Sequence, residues 1–230
     1  MSISVIIPSY NEAENLEELL PMVKMAISSI GMPYEVLVID TMIKMDNTDE
    51  VCRNNDYTYI NREMGNDYGD AIKTGISKAA NKYTVIMDAD GSHNPNDIIR
   101  FYTEMENGYD LVIGSRYING GNSFNGIVLK AMSYVLNMTY RFFFKINAKD
   151  ISNSFRMYKS EQLKALTLEC NNFDIVEEII IKLSKQFSPF RMLEIPVFFD
   201  QRKHGKSKRD LVKFIFSYLT TIKRLMKMKD

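Results

Sequence analysis

Asp88-Ala89-Asp90 places two carboxylates one residue apart, just past an apolar, β-rich run at 83–87. Two such charges repel each other unless a cation lies between them. Mg²⁺ or Mn²⁺ suits the pair, since a hard cation takes carboxylate oxygens and leaves positions for diphosphate oxygens and water. Such an ion would stabilise the charge growing on a departing nucleoside diphosphate. By itself Asp90-Gly91 is also an ordinary turn, and Ser92 or Asn94 an ordinary cap. Its position at a strand end, midway through a series of βα units, favours the metal reading.

Other segments hold chemistry at equivalent positions. Ile7-Pro8-Ser9-Tyr10-Asn11-Glu12 offers an aromatic ring that can stack on a base and a carboxylate that can bind a ribose or base edge, although Asn11 alone reads as a helix cap. In Gly114-Ser115-Arg116-Tyr117 the arginine can clamp phosphate bidentately or form a plain surface ion pair. Arg202-Lys203-His204-Gly205-Lys206-Ser207-Lys208-Arg209 is a basic loop that can stay solvated or fold over a diphosphate. It has no interleaved aromatics or recognition module, so nucleic acid is not the expected partner. The two histidines, His93 and His204, are not at metal-ligand spacing and read as polar loop residues. No Ser-His-Asp set, P-loop or G-x-G-x-x-G is evident, and Gly65-Asn66-Asp67-Tyr68-Gly69-Asp70-Ala71 reads as the entry to a helix.

The elements that must position these residues follow from periodicity. Strands are predicted at 3–7, 35–39, 57–60, 83–87 and 110–113, alternating with helices at 11–29, 49–54, 67–80 and 95–106. Short runs apolar on both faces and alternating with helices predict an α/β fold, a mostly parallel central sheet flanked by helices. Ligands of such sheets bind beyond the carboxyl ends of the strands, where Glu12, Asp40, Asp88, Asp90 and Arg116 all fall. Gly120 to Ser123 reads as a flexible loop. Helix 127–144 is apolar except for a stripe of Lys130, Ser133, Asn137 and Arg141, so it is either buried or lies in a membrane interface. Further helices are expected at 160–166 and 174–186, an edge strand at 193–199, and a last amphipathic helix at 211–229.

With 230 residues the chain can bury a sizeable core. Basic and acidic residues balance at 29 each, yet from Gln201 onward ten Lys/Arg face two acids, a local net of +8 that points to phosphates. Two cysteines exclude a disulfide framework and fit a reducing cytoplasm. Neither a signal peptide nor a spanning segment is read from the sequence.

These residues together resemble family 2 glycosyltransferases of the GT-A (Rossmann-like) fold, and within them the dolichol- or polyprenol-phosphate mannosyltransferases. The resemblance is carried by Val5 to Glu12, Tyr68-Gly69-Asp70-Ala71, Met87 to Pro95, Gly114 to Tyr117, Asp150 to Tyr158, and Glu194-Ile195-Pro196-Val197 leading to Gly205-Lys206-Ser207-Lys208. It implies a catalytic domain over 1–208 that includes the apolar interface helix, followed by a basic amphipathic helix over 209–230. Pro8, Tyr10, Glu12, Val38 and Asp40 would bind the nucleoside. Asp88, Ala89 and Asp90 would bind the donor, with Asp90 the principal metal ligand, Asp88 beside it and Ser92 a second candidate. Arg116, Arg202 and Lys208 would bind phosphates, and Asp90, Arg116 and Arg202 would carry the catalysis. The implied reaction is metal-dependent, inverting transfer of a hexose, mannose first and glucose as alternative, from a nucleotide-sugar to a polyprenyl or dolichyl phosphate. GDP-mannose is the favoured donor and a UDP-sugar the alternative; the place is the cytoplasmic face of a membrane, bound peripherally. Two rival expectations are a saccharide hydroxyl as acceptor and a degenerate nucleotide-sugar-binding protein. Thr41 stands where the family has a second acid, and the segment after Asp40 is one residue longer than the family pattern.

Overall fold

Runs that are apolar on both faces can form strands only where helices cover both sides of the sheet. The computed structural model describes residues 2–124, 126–205 and 211–227. Its first half alternates as expected: β1 (Ile3–Pro8), α1 (Ala13–Ser28), β2 (Tyr34–Asp40), α2 (Thr48–Asn54), β3 (Thr58–Asn61), α3 (Tyr68–Lys78), β4 (Tyr83–Ile86), α4 (Asp97–Glu106) and β5 (Leu111–Ser115). The second half adds β6 (Asn122–Ser123), α5 (Ile127–Phe144), β7 (Arg156–Lys159), α6 (Ser160–Lys164), α7 (Ile175–Gln186), β8 (Met192–Pro196), β9 (Phe198–Phe199) and α8 (Leu211–Met226).

Seven strands form one sheet in the order β3-β2-β1-β4-β7-β5-β8. Every pairing in it is parallel except those of β7, which runs antiparallel between β4 and β5. Alternate residues of β1 point to opposite faces. Val5 and Ile7 pack with Leu16, Leu20 and Val23 of α1 and Phe101 of α4. Ile6 packs on the other face with α3 and, farther on, Ile179 and Ile180 of α7. Gly75 is required there, because a Cβ on it would stand 2.4 Å from Ile6 Cγ2.

Three of the elements differ from those expected. The first is β7, which was not foreseen: Arg156 opens it and is fully buried, donating to the carbonyls of Ile151 and Val176. A buried arginine hides the apolar signature of a central strand. Second, the single strand expected at 193–199 breaks after Pro196. β8 pairs with β5 at the sheet edge, while β9 pairs with β6 in a separate ribbon. Third, the loop expected at Gly120 to Ser123 supplies β6 from its last residues. Helix α8 packs Tyr218, Thr221, Ile222 and Leu225 against the domain.

Helix α5 is turned inside out. Its polar stripe faces the protein: Asn137 is buried and accepts from Ile151 N, and Ser133 bonds to Ser152. Ile127, Val135 and Phe142 face outward at 87%, 63% and 79% exposure.

Candidate active site

The carboxyl ends of β1, β2, β4 and β5 bring the expected residues to one edge of the sheet. Chain turns sharply after β4, where Gly91 has φ +76°, a conformation that favours glycine. Ser92 closes the turn, its N–H and hydroxyl both donating to Asp90 Oδ1, at 3.1 and 2.6 Å. Ser92 is therefore buried and aimed at Asp90. Asp88 accepts at Oδ1 from Tyr68 Oη at 3.1 Å and Ser154 Oγ at 3.0 Å. Ala89 between them is buried. His93, expected as a polar loop residue, is instead buried under the motif. It accepts the Asp88 N–H at Nδ1 and stacks on Phe155, ring centroids 4.7 Å apart.

Arg202 reaches this turn from the other end of the chain. Its NH1 donates to both oxygens of Glu12, each at 2.8 Å, and its NH2 lies 3.3 Å from Asp90 Oδ2. One guanidinium thus sits between the acid after β1 and the acid after β4, which would otherwise repel. The segment carrying it is tied down on both sides. Asp200 N–H donates to Ser92 O and Lys203 N–H to Asp90 O. On α1, Lys203 pairs with Glu18, and His204 bridges Glu18 at 2.9 Å and Glu14 at 3.4 Å. The Glu18 hydrogen bond holds the His204 imidazole above its ordinary pKa, with the charges of Glu14 and Glu18 adding to it. Lys208 lies outside the described residues.

Arg116 was expected as a phosphate clamp or a surface ion pair. It is neither at the surface nor single-handed. Its Nε and NH2 donate to the two oxygens of Asp150 at 2.8 and 2.7 Å, NH2 also meets Ser152 Oγ at 2.9 Å, and Ser133 Oγ of α5 is 3.5 Å away. The guanidinium lies over the rings of Tyr117 and Phe199. Burial opposes its charge, but Asp150 more than offsets this and raises its pKa above the ordinary value. Phe199 also meets His93 edge-on, so the β6–β9 ribbon joins the two parts of the site.

Past β1 and β2, Pro8 and Val38 are buried and Tyr10 is 38% exposed. Asp40 is fully buried; burial raises its pKa, and Tyr59 Oη donates to its Oδ2 at 3.1 Å. Thr41, in the place of a second acid, donates its hydroxyl to Ile43 O at 2.7 Å and closes a turn. Two residues of this region were not singled out from the sequence. Asp46 accepts from Ala13 N and Thr48 N, capping α1 and α2 together. Arg62 is buried, donates to Ser9 O and Asp67 O, and lies beneath the Tyr10 ring. A lone arginine after a weak strand carries no sequence signal for either contact.

Among the described residues no cluster of three or more His, Cys, Asp or Glu forms a metal cage. The donor set fits a different kind of metal site. Mg²⁺ commonly binds through one or two carboxylates and completes its shell from substrate phosphates and water. Asp88 and Asp90 supply the two carboxylates, and Asp90 Oδ2 now pairs with Arg202 at 3.3 Å, a contact that a cation at that oxygen would replace.

Residues 4–167 match the family described as glycosyl transferase family 2. A dolichol-phosphate mannosyltransferase of Pyrococcus furiosus is 36% identical over 234 residues, covering 99% of this chain and 64% of that protein. The chain thus spans just under two thirds of that relative's length. A polyprenol monophosphomannose synthase of Mycolicibacterium smegmatis is 29% identical, over 89% of this chain and 79% of its own. In structure the chain resembles glucosyl-3-phosphoglycerate synthase of Mycobacterium tuberculosis, crystallised with Mn²⁺, UDP and glucosyl-3-phosphoglycerate. The TM-score is 0.77 at 15% identity, covering all of this chain and 81% of the other.

Proposed function

The chain belongs to glycosyl transferase family 2 and has its GT-A fold, and on that premise we propose that it transfers a hexose, mannose first, from a nucleoside-diphosphate sugar to a polyprenyl phosphate. The nucleoside would lie against Tyr10 and Glu12, with Pro8 shaping the turn; Val38 and Asp40, given the same role by the resemblance, are fully buried behind them. Asp90 holds a divalent cation, Mg²⁺ or Mn²⁺, with Asp88 beside it and Ser92 fixing Asp90. When bound, that ion stabilises the charge developing on the leaving diphosphate. Arg202, which bridges Glu12 and Asp90, is assigned to the donor phosphates, and Lys208 takes the same assignment from its place in the sequence motif alone. Arg116, held in place by its bidentate pair with Asp150 and by Ser152, is assigned to the acceptor phosphate.

The acceptor choice is carried by one observation, the inverted α5. Its inner stripe reaches Arg116 through Ser133, and its outer face is apolar. One helix therefore joins a phosphate-binding arginine to a surface suited to lipid, as an amphipathic helix lying in a membrane interface does. Among the described residues no helix is long and apolar enough to cross a membrane; the attachment proposed, on the outer face of α5, is peripheral and at the cytoplasmic face.

The chemistry agrees with this choice. A sugar hydroxyl needs a general base within reach. Of the carboxylates around the site, Glu12 is engaged with Arg202 and Asn15, Asp88 with Tyr68 and Ser154, Asp90 with Ser92 and Arg202, and Asp150 with Arg116, while Asp40 is fully buried with Tyr59 on its Oδ2. A phosphate monoester has its second pKa near about 6 and is already mostly dianionic at neutral pH. Its oxygen attacks the anomeric carbon as the bond to the nucleoside diphosphate breaks. The diphosphate leaves with the electron pair and the anomeric configuration inverts. Incubation with radiolabelled GDP-mannose or UDP-glucose and polyprenyl phosphate in detergent, followed by organic extraction, tests the proposal. Label in the lipid phase supports it; label only in soluble oligosaccharide acceptors replaces the lipid with a saccharide hydroxyl.

A further inference from the structure

We infer that Tyr68 and Ser154 are positioning residues for Asp88, which hold one of its oxygens so that the other faces the donor's cation. The inference rests on the donor-site reading above.

Both hydroxyls converge on the same oxygen, Oδ1, from separate parts of the chain: Tyr68 at the start of α3 and Ser154 in the segment before β7. Tyr68 is fixed independently, its ring stacked on Phe173 with centroids 4.6 Å apart. The main chain of Asp88 is held too, through its N–H to His93 Nδ1. With its backbone and Oδ1 fixed, the carboxylate has one orientation and presents Oδ2 to a ligand. Groups that orient a metal-binding carboxylate in this way tune affinity without touching the ion.

Ser154 has a second consequence. The same short segment carries Asp150 and Ser152, which grip Arg116, and Asn153, whose side chain donates to Gly114 O at 2.6 Å. A single stretch, 150–154, therefore sets where the donor-side acid and the acceptor-side arginine stand relative to each other. A tyrosine that merely filled the core would not need its hydroxyl on Asp88; Tyr68→Phe separates the two roles because the ring and its stack remain.

The test is Mn²⁺ binding to the full chain, followed by electron paramagnetic resonance in saturating GDP and, separately, UDP. Wild type is compared with Tyr68→Phe, Ser154→Ala, the double variant and Ser154→Thr. Loss of an orienting partner typically weakens metal binding by about 10–100-fold, and each removal is expected to act within that range. Ser154→Thr, which keeps the hydroxyl, should restore wild-type binding, and nucleotide affinity measured without metal should not change. A double variant that binds Mn²⁺ as wild type does overturns the inference while leaving the donor site intact. Wild type that binds no Mn²⁺ with either nucleotide overturns both. If Tyr68→Phe fails to fold, Ser154→Ala decides alone.

Discussion

Arg202 is the side chain on which most of the site converges. A guanidinium offers a rigid fork that can contact two carboxylates at once, and a lysine cannot reproduce it. Arg202→Ala and Arg202→Lys should therefore both lower kcat/KM, alanine by about 10²-fold, the usual cost of removing one charge-stabilising donor. Steady-state turnover with the identified donor checks this; a lysine variant with wild-type kinetics would reduce Arg202 to a point charge. Glu12, Asp40, Asp88, Asp90 and Arg116 could be singled out in the sequence because they follow strands whose pattern is plain, whereas Asp46 and Arg62 could not. Nor could their partners. Tyr68 and Ser154 lie 20 and 66 residues from Asp88, and Asp150 lies 34 from Arg116. Spacing along a chain says which residues end a strand, but not which distant hydroxyl folds back onto them. Ser92 shows the same limit from the other side: its type suggested a ligand, and its geometry makes it a brace for Asp90.

Helix α5 gives the plainest case of an element whose sequence allowed two readings. The narrow polar stripe was visible, but only tertiary contacts decide whether such a stripe points inward. Replacing Val135 and Phe142 with Asp should abolish co-sedimentation with anionic vesicles and leave the melting temperature within a few degrees, because both side chains face outward. Retained vesicle binding would take the membrane role from this face. Helix α7 makes a different prediction. Glu177 is fully buried, and burial raises its pKa to about 8, with Arg156 partly offsetting the rise. Its value in the unfolded chain is near the ordinary 4.5. A carboxyl with a raised folded pKa contributes its stability fully below the unfolded value, and loses it as pH climbs through the folded one. Stability should thus fall between about pH 5 and 9 from this group. Glu177→Gln should flatten that loss by an amount on the order of a few kcal/mol, read from urea unfolding at pH 6 and pH 9. An unchanged pH slope would contradict the assignment. Strand β7 was missed for a related reason, since Arg156, the residue facing Glu177, interrupts what would otherwise be an apolar run.

Across the whole molecule, the alternating first half was readable because local period and burial agree there. The second half was readable mainly through motifs, since an antiparallel insertion, a two-strand ribbon and an inverted helix do not follow one period. The two halves meet at Arg202 and at the 150–154 segment, which bring chain-distant groups to the carboxyl edge of the sheet. Asp90 is where the account concentrates. The most direct measurement is transfer of radiolabelled hexose from GDP-mannose or a UDP-sugar to polyprenyl phosphate, with and without Mn²⁺, by wild type and Asp90→Ala. The account predicts label in the lipid phase for wild type with Mn²⁺, loss of it on chelation, and a fall of at least about 10²-fold for Asp90→Ala. Metal-independent transfer that Asp90→Ala retains, or no transfer to the lipid from any nucleotide-sugar, would contradict it.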